Sequence, residues 1–142
     1  MRSIISKLLK NLYQYDRKRR KDIVKKCGPK MALAEDKLPF YVFKGEIEER
    51  IRIVLFLVDN KALSVGNDFY YAAAILITSD KLKHFITACL LIKKYRELGG
   101  KKYWNIQDAY LAKQNWGKTK EEIFKQVEKK IGINPNKLNT LK

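Results

Sequence analysis

Proline, glycine, cysteine and histidine are all scarce in this chain, and acidic residues are outnumbered about two to one by basic ones. Only three prolines and seven glycines occur, too few for the regularly spaced turns of a sheet-rich fold. The two cysteines, Cys27 and Cys89, lie far apart and form no CxxC pair, which excludes a disulfide scaffold and a thiolate metal centre. A single histidine, His84, excludes a His-rich metal site, so no metal and no cofactor are expected. There is no glycine-rich phosphate loop and no nucleophile motif. The longest apolar run, residues 69–77, is too short to cross a bilayer, and Lys7 and Lys10 interrupt the opening segment so that it lacks a secretory apolar core. The expectation is a soluble protein of a reducing, cytoplasmic compartment.

What the chain does have is apolar periodicity and positive charge. Its 142 residues, 46% hydrophobic, suffice for one domain that buries about two-thirds of its unfolded surface. The net charge is +16, from 31 basic and 15 acidic residues. Residues 1–45 are the densest part, with 13 basic and 4 acidic side chains. Such a field attracts polyanions: nucleic acid, an acidic protein face or an anionic membrane surface.

The spacing of apolar residues predicts an all-α fold of five to six helices packed as antiparallel hairpins in one domain. Its organising stretch is residues 67–100. There Phe69, Ala72, Ala73, Leu76 and Ile77 mark one helix, and Leu82, Phe85, Ile86, Cys89, Ile92 and Tyr95 mark the next, with a turn at Thr78, Ser79 and Asp80. Residues 1–27 read as a basic amphipathic helix with its apolar stripe at Ile4, Ile5, Leu8, Leu9, Leu12 and Tyr15, while Lys7 and Lys10 face away. Residues 28–45 read as an irregular loop, with 38–43 extended around Pro39. A helix follows over 46–60, where Glu46, Glu48 and Glu49 suit the positive N-terminal end. Asn67 or Asp68 can cap the hairpin's first helix. A fifth helix is expected over 101–114, then a turn at 115–117. Thr119 and Glu122 form a capping box for the last helix, which Gly132 ends, leaving 132–142 as a frayed tail.

The strongest functional candidate is the basic run Arg17, Lys18, Arg19, Arg20, Lys21, Lys25 and Lys26. Consecutive like charges repel, so a purely structural helix has little use for them, whereas arginine forks and lysine ammoniums bind phosphate well. Tyr13 and Tyr15 just before the run are placed to stack on exposed bases. The expectation is a non-enzymatic basic module that binds nucleic-acid phosphates, RNA or a ribonucleoprotein ahead of DNA. The alternative is an interaction or inhibitor module docking an acidic protein. The N-terminal helix also has the form of one that lies on an anionic membrane. Tyr103, Trp104, Tyr110 and Trp116 form an aromatic set suited either to packing or to a partner surface. A third reading, an enzyme or its degenerate descendant, rests on the polar residues Asp68, His84 and Asp108. On spacing alone His84 is a surface or boundary residue, and Asp68 a helix cap.

The segment Asp68-Phe-Tyr-Tyr-Ala-Ala-Ala-Ile75, followed by Glu97-Leu98-Gly99, Asp108-Ala-Tyr-Leu111 and Gly117-Lys118, resembles a bacterial family of helical proteins of unknown function. That pattern runs Asp-Tyr-x-x-Ala-Ala-x-Ile to a Gln-His end, then Leu-Gly, Asp-Arg-x-Leu and Gly-Lys-Pro-Gln, and covers residues 48–118. The resemblance implies the helical fold. Here Thr78-Ser79 stands for the Gln-His, Ala109 for the Arg, and Thr119 follows Lys118, so any activity the family owes to those residues is expected to be lost.

Overall fold

The structure, a computed structural model, describes residues 2–27, 38–79, 81–104 and 119–140. Among them are five α-helices and one 3₁₀ helix, with no strand. The helices are α1 (Arg2–Cys27), α2 (Leu38–Asp59), α3 (Gly66–Leu76), α4 (Leu82–Glu97) and α5 (Lys120–Ile131), followed by the 3₁₀ segment Pro135–Thr140. The fold is all-α.

The pair α3 and α4 is the centre of the molecule. A five-residue connection joins them, and their mutual contact exceeds that of any other pair among the described elements. Ala72, Ala73 and Ala88 are fully buried, and such small side chains let helix backbones approach closely. Ile75, Leu76, Phe85 and Ile92 fill the space between them. α3 also touches α1 and α2, while α4 touches α5 and the 3₁₀ segment. The core is therefore continuous from Leu9 and Val54 on one side to Ile123, Val127 and Leu138 on the other. Cys89 lies within it, and burial pushes its thiol pKa far up, which makes it a small apolar filler.

The helix ends follow local chemistry. Asp68, three positions into α3, accepts from the backbone N–H groups of Val65 (3.2 Å) and Ser64 (3.1 Å). The N-cap is thus Val65, and Asp68 acts back on it from inside the helix. α4 closes with Gly99 at φ 90°, the Gly99 N–H on the Arg96 carbonyl and the Gly100 N–H on the Tyr95 carbonyl, a Schellman arrangement. A Cβ at Gly100 would run into the Tyr95 ring, so this position also needs glycine for space. Thr119 caps α5 by accepting from the Glu122 N–H at 3.2 Å, and Gly132 ends it in the left-handed region.

Four expectations are corrected. Residues 38–43 are helical, so α2 begins eight residues earlier than the pattern placed it, at Leu38 rather than 46. Pro39 fits because it sits in the first turn, where its missing N–H has no helical partner to lose. Glu46, Glu48 and Glu49 are then mid-helix, away from the positive end. The helix passes through Gly45, where an added Cβ would meet nothing within 4 Å. Gly45→Ala is expected to raise stability by about 0.5–1 kcal/mol, read as a higher denaturation midpoint with unchanged slope. An unchanged or lower midpoint would show that α2 is not continuous there.

The second correction concerns the C-terminal tail. It is docked through residue 140: Pro135 and Leu138 are buried, and Asn139 is a bridge. The Asn139 Oδ1 accepts from Arg96 Nη2 (2.6 Å) and from the Trp104 N–H (2.7 Å), and its Nδ2 donates to the Trp104 carbonyl (2.6 Å). The third concerns α1. Ile5, Leu9, Leu12 and Tyr13 turn inward, while Ile4, Leu8 and Tyr15 are exposed. The sequence offered one broad apolar arc, and packing on α3 uses one side of it. The helix expected over 101–114 is not formed at 101–104, and the remainder lies outside the described residues, as do Tyr110 and Trp116.

Candidate nucleic-acid interface

The two sides of α1 divide the basic run. The inner side carries Asp16, 5% exposed, which accepts from Arg20 Nε (2.8 Å) on its own helix. The same carboxylate accepts from Arg50 Nη2 (2.8 Å) and Nε (3.2 Å) across on α2. One turn along, Arg19 donates to both oxygens of Glu46, at 3.0 and 3.3 Å, and Arg50 Nη1 approaches Glu46 at 3.9 Å. The Glu46 hydrogen bond raises the Arg19 guanidinium above its ordinary pKa. As α2 advances from Glu46 to Arg50, its partner on α1 retreats from Arg19 to Asp16, so the two helices run antiparallel.

Arg19 and Arg20 are therefore structural as well as basic. Arg50, a residue the sequence reading did not single out, is the buried centre of the network at 4% exposure. The signal that points to it is the pair Asp16 and Glu46, each an acid placed where a helix meets a basic neighbour.

The outer side of α1 is different. Lys7, Lys10, Arg17, Lys18, Lys21 and Lys25 are all exposed, and no acidic partner holds any of them among the described residues. Lys7, Lys18 and Lys25 recur at intervals of eleven and seven residues, close to three and two turns, so they form one row. Lys10 and Lys21 form a second row beside it. At about 1.5 Å per residue, the row from Lys7 to Lys25 is about 27 Å long. Lys26 lies on α1, with its side chain outside the described ones. Ile4, Leu8 and Tyr15 flank the lysines on one edge.

The tyrosines separate as well. Tyr15 is 50% exposed, with the Arg50 guanidinium 5.5 Å from its ring centre. Tyr13 is half-buried and packs against Tyr71 and Tyr70 of α3. Burial, followed by the neighbouring Tyr13, raises the Tyr70 phenol pKa.

The polar candidates are not assembled into a site. His84 is buried, at 7% exposure, and is not a surface or boundary residue. Its Nδ1 shares a 2.5 Å hydrogen bond with Ser79 Oγ, which also accepts the Lys81 N–H at 3.1 Å. This bond ties the α3–α4 turn to the first turn of α4. Asp68 is at the other end of α3, near the end of α4, where Gly66 faces Tyr95 and Leu98. From Asp68 to Leu76 α3 rises about 12 Å. Asp68 and His84 thus cannot exchange a proton directly. Asp108 lies outside the described residues. Asp68 Oδ1 is buried without a hydrogen-bond partner, as are Arg96 Nε and Trp104 Nε1. No cluster of three or more metal-ligating side chains occurs among the described residues. Nor is any described helix long and apolar enough to cross a membrane.

No family model, curated protein or solved structure matches the chain.

Proposed function

We propose that this protein is a non-enzymatic binding module whose α1 outer face contacts nucleic-acid phosphates, with RNA or a ribonucleoprotein surface ahead of DNA. The observation that carries this reading is the sorting of charge on one helix. The acids of the α1–α2 interface take Arg19, Arg20 and Arg50, while six exposed cations on the other side keep no acidic partner among the described residues. Burial by itself turns unpaired lysines outward; what goes beyond it is that six cations of one helix fall in a single band more than about three turns of helix in length. Lysine ammoniums along a single face neutralise a polyanion through released counterions, so affinity depends on salt and little on sequence. Arg17 adds a planar fork that suits phosphate oxygens.

The exposed Ile4, Leu8 and Tyr15 favour a second reading, in which an acidic protein docks on α1 with these side chains as apolar anchors. Binding of labelled RNA and duplex DNA between about 50 and 200 mM salt separates the two. The expected result is micromolar or tighter binding at the low end that weakens steeply with salt. Absence of binding at the lowest salt would end the nucleic-acid reading and leave the acidic protein.

A further inference from the structure

Resting on the phosphate-contacting reading of α1, we propose that Tyr13, Tyr71, Arg17 and Lys102 form a base-stacking site that selects single-stranded over duplex nucleic acid. The site joins three parts of the chain that the sequence holds far apart. Tyr13 of α1 lies 5.0 Å, centroid to centroid, from Tyr71 of α3 and 6.1 Å from Tyr70. Tyr70 continues the cluster inward to Tyr95 at 5.3 Å and Trp104 at 6.4 Å. The inner rings are buried, whereas Tyr13 and Tyr71 keep part of their surface open to solvent.

Two cations rest against these rings. The Arg17 guanidinium stands 4.9 Å from the Tyr13 centroid, and Lys102 Nζ stands 5.0 and 5.4 Å from the Tyr70 and Tyr71 centroids. Both are exposed, and neither has an acidic partner among the described residues. Gathering two like charges around one aromatic cluster brings no internal neutralisation. Both side chains are themselves exposed and a cation at the solvent edge of a ring is held weakly, so each can swing to a phosphate and uncover the open part of Tyr13 or Tyr71.

The cluster continues the lysine surface. Lys10, Tyr13, Arg17 and Lys21 follow one another at three- and four-residue spacing, so they share a ridge of α1. A backbone laid along that ridge brings its bases over Tyr13 and Tyr71, and Lys102 meets the phosphate beyond them. Only a single strand has free base faces to offer there, because a duplex keeps its bases stacked inside. The stacking is tolerant of base identity, and the charges set the position.

The test is fluorescence anisotropy of the full chain with labelled twelve-nucleotide oligo-U RNA, oligo-dT DNA and a duplex of the same length, at about 50 mM salt. The single strands are expected to bind at least about fivefold more tightly than the duplex. Tyr71→Leu, which keeps an apolar side chain against the core, is expected to lose about tenfold for the single strands and less than about twofold for the duplex. Lys102→Gln, at an exposed side chain, is expected to lower the single-strand salt slope by about 0.7. Equal binding of single strand and duplex, with both variants unchanged, overturns the inference and leaves the α1 phosphate surface standing. Loss of single-strand and duplex affinity in equal measure in Lys102→Gln also overturns it, since Lys102 is then a general phosphate contact. Failure of the unaltered chain to bind any of the three removes the phosphate reading and this inference with it. An oligo-dU arm beside oligo-U, which differs from it in the sugar alone, reports whether the ribose 2′-hydroxyl matters.

Discussion

Replacing Lys7, Lys18, Lys21 and Lys25 together with glutamine is expected to weaken single-strand binding by about 10²–10³-fold at 0.1 M salt. Each phosphate contact contributes about 0.7 to the slope of log affinity against log salt on a single strand, so four lost contacts lower it by about 3. All four side chains are exposed, and no described acid depends on them, so the substitution leaves the core and the α1–α2 network untouched. The unfolding midpoint should stay within the small range typical of surface changes. The contrast is with Arg19 and Arg20. Their substitution removes bonds to Glu46 and Asp16, so its effect should fall first on stability. A variant combining Arg17, Arg19 and Arg20 would mix the two effects and could not report on binding alone. If the four-lysine variant loses less than about tenfold while remaining folded, the contacts lie off this face.

The largest stability effect belongs to Asp16. Its carboxylate holds Arg20 and Arg50, and Arg50 is almost wholly buried between the helices. Among the described residues, Asp16→Ala leaves the Arg50 guanidinium with the Tyr15 ring and the longer 3.9 Å approach to Glu46, and little water to replace the lost bonds. Breaking a buried pair from one side typically costs about 3–5 kcal/mol, because the remaining charge stays desolvated. That is a large share of a small domain's stability and should show as a much lower denaturant midpoint. Removing both charges at once, as Asp16→Leu with Arg50→Met, is expected to recover most of the loss, since an apolar pair of similar volume avoids the desolvation cost. An Asp16→Ala loss below about 1 kcal/mol would mean that solvent reaches Arg50 freely.

The local features were legible because they depend on near neighbours. The Thr119 cap with its Glu three residues on, the Gly132 stop and the apolar rhythm of α3 and α4 are each decided within a few residues. The same local view misread residues 38–43, where Pro39 and Gly45 together resemble a loop. Proline in a first turn costs nothing there, and the glycine is carried through by the helix around it. It also misread the C-terminal residues, whose order comes from Arg96, Trp104 and Leu138 contacts with no signature in their own composition.

The sequence by itself determined that the chain is helical, strongly basic and richest in charge near its beginning. Only tertiary structure decided which charges are free. On an isolated helix Arg17, Lys18, Arg19, Arg20 and Lys21 are one run, and successive positions point about 100° apart. Docking α1 against α2 and α3 fixes one rotation, which brings Arg19 to Glu46 and the Asp16–Arg20 pair of α1 to Arg50, and turns Lys18, Lys21 and Lys25 to solvent. The same rotation brings Tyr13 onto Tyr71 and Arg17 to the edge of a cluster that Lys102 completes. No spacing rule links positions 13, 71 and 102. Their meeting is set by how α1, α3 and the segment that follows α4 pack on one core.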